Sequence, residues 1–349
     1  MTSMLRRISI PLFILCLVPG ICPAMGTVQH MVSEQALANW EKVESFTGVV
    51  EEKGLLPDNG VIRTEVRFEK PDRFFARTLA PESLAGDFFL FDGRDSRTYI
   101  ARSHSGLLVS GLAQLLGDSL EKQRQRFREN MEKGLKTFRV SMEVNQDVAK
   151  AECVVFHFAP RDEAGFARRQ QTWSDLVYSM PLKAEIYNSG PGIWYGFEYK
   201  EVSVNKATGT PAWPKGFPEN TSVAVWDFSD PSVTPEQAKK ALNADLALPR
   251  APGFSMECKR IVMARSMAPA VATVYTGGPY YVLITQMKDY GIVDPAGDRG
   301  LAVPTLPNGA RMHFFGENAV ISWTENGSSI TVTGNLPYFE MIGVAKSVR

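Results

Sequence analysis

The sequence predicts an α+β protein: an antiparallel sheet presenting aromatic side chains to one concave side, helices beside it, and a smaller α+β unit at the C-terminal end. Three observations carry this. Ile62, Thr64, Val66 and Phe68 alternate with Arg63, Glu65, Arg67 and Glu69, the two-residue period of a strand with one dry face. Turn chemistry at Lys70-Pro71-Asp72 and at Asp92-Gly93 separates that strand from the aromatic runs at 73–79 and 88–91, so hairpins follow. After Asp230-Pro231 the chain restarts with Thr234, Pro235 and Gln237 as a capping box, a Pro/Gly linker, and further alternating runs.

At the start, Arg6 and Arg7 precede an apolar run over 8–18, then Pro19, Gly20 and the small residues Ala24 and Gly26. That order is a secretory signal peptide over 1–26. Its apolar core is shorter than the about 20 residues a bilayer crossing needs, so the mature protein is expected to be exported. Cys16 follows Leu15 and Cys22 follows Ile21, neither a small residue, which argues against lipidation. Lysine plus arginine and aspartate plus glutamate both number 38, so no global field favours nucleic acid or an anionic surface. Two domains are expected, 27–229 and 230–349.

Along the chain, Met31, Val32, Ala36, Leu37, Trp40 and Val43 recur at helical steps, with Trp40 as a core residue. A strand is expected over 46–52, a turn over 55–60, strands to 110, and helices over 111–116 and 119–133. The second helix carries Lys122, Arg124, Arg126 and Arg128 among Glu121, Glu129 and Glu132, a solvated face and not a nucleic-acid patch. Strands follow over 138–144 and 152–158. Cys153 and His157 share one face of the latter, but four residues of strand hold their Cα atoms about 13 Å apart, too far for a dyad. An irregular loop over 161–172 leads to strands at 173–178, 182–187 and 193–204, where Trp194, Tyr195, Phe197 and Tyr199 read as cross-strand packing. Pro211, Pro214 and Pro218 precede a strand over 223–228. A terminal helix is expected over 337–348. Cys153 and Cys258 remain either a bridge or two unpaired thiols.

The segments FEKPDRFF (68–75), FLFDGRDSRTY (89–99) and MPLKAEIYNSG (180–190) resemble the periplasmic outer-membrane lipoprotein carriers and their sigma-E regulatory sensor relatives, the LolA/RseB-like superfamily. The resemblance implies a strongly curved antiparallel half-barrel closed by helices over an apolar cavity, in a periplasmic protein that holds lipid or lipoprotein acyl chains. Val66, Phe68, Phe89, Phe91 and Tyr99 are the candidate lining. Carriers of this family place an arginine before the turn proline as a latch on the lid; Lys70 stands there in this chain, and its point charge cannot form the same planar fork. The stretch 321–348 resembles C-terminal domains of exported regulators associated with anti-sigma factors, which implies an inner-membrane regulatory partner as the alternative. No phosphate-binding glycine loop, nucleophile elbow or metal-ligand spacing is present, so neither catalysis, cofactor nor metal is expected.

Overall fold

Alternation in the sequence becomes strand pairing over most of the first two-thirds of the chain. The computed structural model describes residues 34–56, 60–70, 73–111, 120–162, 167–188, 192–206, 213–249, 256–264, 269–288, 300–303, 305–306, 309–315 and 318–348. The expected signal peptide and residues 112–116 of the first expected central helix lie outside the described residues. A helical segment at 34–40, α1, opens the fold, followed by β1 (Ser45–Lys53), β2 (Ile62–Glu69), β3 (Arg73–Ala80), β4 (Phe88–Asp92), β5 (Ser96–Ile100) and β6 (Ser105–Ser110). Helix α2 (Leu120–Thr137) leads into β7 (Phe138–Val148), β8 (Ala151–Pro160), β9 (Gln170–Asp175), β10 (Pro181–Tyr187), β11 (Ile193–Val204) and β12 (Ser222–Asp227).

These twelve strands form one curved sheet in the order β12-β6-β5-β4-β3-β2-β1-β11-β10-β9-β8-β7. All neighbours are antiparallel except β12 beside β6. The turn after β4 is the one its Asp-Gly signals: Asp92 Oδ1 accepts from the backbone N–H groups of Arg94 at 3.1 Å and Asp95 at 2.9 Å, and Gly93 takes a φ of +91°. β9 begins at Gln170, three residues before the expected strand, and stops at Asp175. There the carboxylate accepts from the N–H groups of Val177, Tyr178 and Met180 and so turns a segment that alternation alone extends to 178.

A second sheet follows helix α3 (Pro235–Leu242), whose capping box forms as expected: Thr234 Oγ1 accepts from Gln237 N–H and Gln237 Oε1 from Thr234 N–H. It comprises β13 (Glu257–Met263), β14 (Ala270–Gly277), β15 (Tyr280–Lys288), β16 (Leu301–Ala302), β17 (Arg311–Phe315), β18 (Asn318–Glu325) and β19 (Ser328–Gly334), in the order β13-β14-β15-β19-β18-β17-β16. Helix α4 (Tyr338–Ser347) ends the fold and packs on β18 and β19.

The two sheets share apolar cores. Ile100, Leu107, Trp226 and Phe228 of the first interlock with Val262, Ala272, Val274 and Leu283 of the second. At the other end, Phe339 of α4 meets Phe138 edge-on at 6.0 Å, and Tyr338 lies 6.3 Å from Trp194. α2 joins them in the middle. The reading of its arginines as a solvated face needs correction at Arg126, which is buried and donates to the Pro279 carbonyl at 3.2 Å. Sequence spacing shows an arginine flanked by glutamates but not the third neighbour, the β14–β15 turn, whose carbonyl makes guanidinium burial tolerable. Arg124 and Arg128 do pair outward, with Glu41 just past the end of α1 at 2.7 Å and with Glu34 on α1 at 2.8 Å. Cys153 and Cys258 are both free thiols, the first buried and the second exposed.

Candidate functional site

The face of the first sheet turned toward α1, α2 and the second sheet is a large apolar surface that the sequence sets apart by parity, and register fixes its membership. Phe46 pairs with Phe68, Phe68 with Phe74 and Phe74 with Phe91; Val66 pairs with Ala76, Ala76 with Phe89 and Phe89 with Thr98. Val66, Phe68, Phe89 and Phe91 therefore share one face. Val66 and Phe89 are buried, and Phe68 and Phe91 pack partly buried against the same cluster. Phe46 and Phe68 stack at 5.4 Å beneath Trp40, which lies 6.4 and 5.9 Å from them, so Trp40 is a core residue of the cover.

Tyr99 is on the opposite face. It pairs with Phe88, one residue out of phase with Phe89, and joins Phe75 and Leu90 in a separate cluster under Trp213 and Phe217. Its hydroxyl meets His104 Nδ1 at 3.2 Å. The outer face of β2–β6 is thus not uniformly wet: the proline-rich passage straps it, with Arg73 over Trp213 at 4.5 Å and the Trp213 indole donating to Glu69. Parity counted across the Asp92-Gly93 turn would have separated Tyr99 from the other four.

Lys70 holds the end of α1. Its ammonium donates to the Glu41 backbone carbonyl and to Glu44 Oε1, the latter at 3.0 Å, where a cation also meets the negative end of the helix. A lysine in this position thus still ties the cover to the β2–β3 turn, through a carbonyl that needs no planar fork.

The sequence reading missed Glu52. It follows Phe46, Gly48 and Val50 at even steps on β1, so parity alone places it on the dry face, where it is 1% exposed. Burial pushes its carboxyl well above the usual carboxylate range, against a hydrogen bond donated by Tyr195 at 2.9 Å. Tyr195 and Tyr199 are raised as well, by burial and then by the neighbouring Glu52. Following the register, the described inner-face positions of β1–β6 and β8–β12 hold no lysine or arginine and two carboxyls, the buried Glu52 and Glu152 at the exposed start of β8.

The chemistry of a reactive centre is not assembled among the described residues. Cys153 Sγ donates to the Ala151 carbonyl, whereas His157 meets Gln171 at 3.0 Å and Glu143 at 3.4 Å. Burial raises the Cys153 thiol to about 11, so it is held as a thiol. No group of three or more candidate metal ligands occurs among the described residues. A groove lined by Glu51, Lys53, Lys183, Glu185 and Lys200 on the outer face has a volume of only about 20 Å³.

Fold and face together define a two-sheet protein built to cover apolar surface, with an apolar and nearly chargeless interior side. Solved structures similar to it include the MucA/MucB complex of Pseudomonas aeruginosa, 17% identical over 93% of this chain and 99% of that one, at a TM-score of 0.46. The lipoprotein LppX of Mycobacterium tuberculosis is 11% identical over 52% and 98%, at 0.35. A LolA superfamily protein of Nitrosomonas europaea is 11% identical over 87% and 94%, at 0.20. No family model matches the chain, and no curated protein matches it.

Proposed function

We propose that this chain is a non-catalytic periplasmic protein that holds the acyl chains of a lipid or lipoprotein against the inner face of its twelve-stranded sheet. The observation that carries the reading is that face itself: largely apolar across the sheet, with no lysine or arginine at its described strand positions, and covered by α1, α2, α4 and the second sheet through side-chain packing. Each methylene moved from water onto such a surface gains about 0.8 kcal/mol, so one or two chains are retained without a covalent bond. Val66, Phe68, Phe89 and Phe91 supply the lining, and the covering elements must shift to admit the ligand. Mass spectrometry of gently isolated protein is expected to find acyl-bearing molecules. Their absence, together with no binding of a fluorescent acyl probe, would end the reading.

A second reading is favoured by the interlocked second sheet. A carrier needs only the half-barrel, whereas a regulator that clasps an envelope partner such as an anti-sigma factor uses a second body whose position reports on the first. Recovery of an inner-membrane protein by the full chain, lost when α4 is disrupted, would select it.

A further inference from the structure

Among the described arginines that are buried or half-buried, each but one lies against an oxygen of its own chain. Arg67, Arg73, Arg97 and Arg124 pair with carboxylates, and Arg126, Arg260 and Arg311 donate to backbone carbonyls. Arg168 does neither. Its half-buried guanidinium stands 4.3 Å over the Trp194 ring and makes no hydrogen bond or ion pair among the described residues. Burial lowers its proton affinity, with the Tyr338 phenol working the other way. A cation drawn this far from water without an oxygen partner carries a cost that a bound anion removes. The residue sits at the rim of the inner face. It precedes Gln170 by two positions, and Gln170, Ile186 and Tyr195 form the row where that face begins at this end. Arg169, between them, turns the other way onto the Tyr187 ring at 4.2 Å. α4 reaches the same place: the Arg168 backbone N–H donates to Tyr338 Oη at 2.7 Å, and Tyr338 lies beside Trp194. Glu340, the one acid on α4, is engaged with Lys133 at 2.9 Å. Gln170 is a second and independent sign, because its side chain is 1% exposed and its Nε2 donor has no partner.

We propose that Arg168 is the station for the anionic head of an acylated ligand, a carboxylate or a phosphate, with the Gln170 amide as a further donor one step inward. The proposal rests on the acyl-binding reading and deepens it. Stacking on the indole fixes the guanidinium plane and leaves its N–H edge open, the edge that takes two oxygens of a carboxylate or phosphate at once. Beyond the rim the face turns apolar through Leu182, Ala184 and Ile186, so head and tail of such a ligand meet the chemistry each requires. A neutral ligand leaves the cation without an oxygen. Tyr338 fastens α4 at Arg168 itself, so the cover that moves to admit a chain is tied beside the group that binds the head.

The test uses the full chain at neutral pH and three probes of equal chain length: a fatty acid, a lysophosphatidic acid and a neutral monoacylglycerol. Wild-type protein is expected to bind at least one of the two anions about tenfold more tightly than the monoacylglycerol. The anion that binds more tightly identifies the head. R168Q should bring that anion down to the affinity of the neutral probe. R168K keeps the charge without the fork and should fall between, which carries the test if R168Q does not fold. Equal wild-type affinity for anionic and neutral probes, or a preference that survives intact in R168Q, overturns the station and leaves acyl binding standing. No binding of any probe removes both.

Discussion

The Tyr195 hydroxyl donates to Glu52 Oε1 at 2.9 Å in a site closed to solvent, and burial outweighs that bond in setting the carboxyl's proton affinity. Its native value is raised above the ordinary 4.5, so between that value and the native one folding takes up a proton at Glu52. The native state then binds more protons than the unfolded chain, and this group's contribution to stability falls as pH rises, until the native carboxyl itself ionises. E52Q keeps an acceptor for Tyr195 and removes the titration. Denaturant unfolding followed from mildly acidic to mildly alkaline pH should show a flatter dependence for E52Q, by up to about 1.4 kcal/mol per pH unit. Parallel profiles would mean that Glu52 is ionised in the fold.

The seam between α2 and the second sheet is polar at its centre. Tyr280 donates to Asn130 Oδ1 at 2.9 Å with both residues buried, and Lys133 lies over the Tyr280 ring at 4.2 Å while pairing with Glu340 at 2.9 Å. Y280F retains the ring and leaves the amide oxygen unmet, so a loss of about 1–2 kcal/mol is expected in urea unfolding. Stability unchanged within error would show that the seam is held by its apolar contacts alone.

Much of the fold was legible because period-two alternation is strong in β2, β8 and β11, and because turn and capping residues stand where the backbone needs them. Legibility failed where a neighbour distant in sequence decides. The β7–β8 turn uses Ala149 and Lys150 at φ +50° and +67°, a primed-type geometry with neither asparagine nor glycine to announce it, and β7 consequently runs to Val148 instead of stopping at 144. Arg126 goes inward because of a carbonyl 153 residues away. At the site, four of five lining candidates share a face that alternation defines, while Tyr99 falls outside because parity was not carried through the turn. Glu52 obeys the same parity, and its charge disguised it as a surface residue.

Lys70 gives a local test of the cover. K70A removes the contacts with the Glu41 carbonyl and Glu44 but touches no core residue, so global stability should drop by no more than about 1 kcal/mol. Amide exchange in α1 is expected to rise selectively. K70R, which can still donate to a carbonyl, should stay near wild type. Uniform exchange across all three proteins would show that α1 is held by Trp40 and its ion pairs with α2.

The two thiols separate by accessibility. Cys258 is exposed on β13, whereas Cys153 is fully buried on β8 with its thiol raised to about 11. A thiol reagent applied to folded, reduced protein should label Cys258 alone, and denaturant should release Cys153. Rapid labelling of both in the native state would place β8 at a mobile edge.

Phe339 offers the last and most direct test of how the inner face is closed. Its ring contacts Phe138 edge-on at 6.0 Å and Tyr338 at 5.4 Å, at the place where α4 crosses from its own sheet onto the first. F339A removes a partly buried aromatic and its pairings, a loss of about 2 kcal/mol. If acyl chains enter by displacing this contact, that same energy no longer opposes entry. A loss of 1.4 kcal/mol from the opening cost is then worth about tenfold in apparent affinity. F339A should therefore be less stable yet bind an acyl probe more tightly, while Y280F, which weakens the α2 seam elsewhere, loses stability without that gain. Weaker probe binding by F339A would instead make Phe339 part of the lining and place the opening on another side.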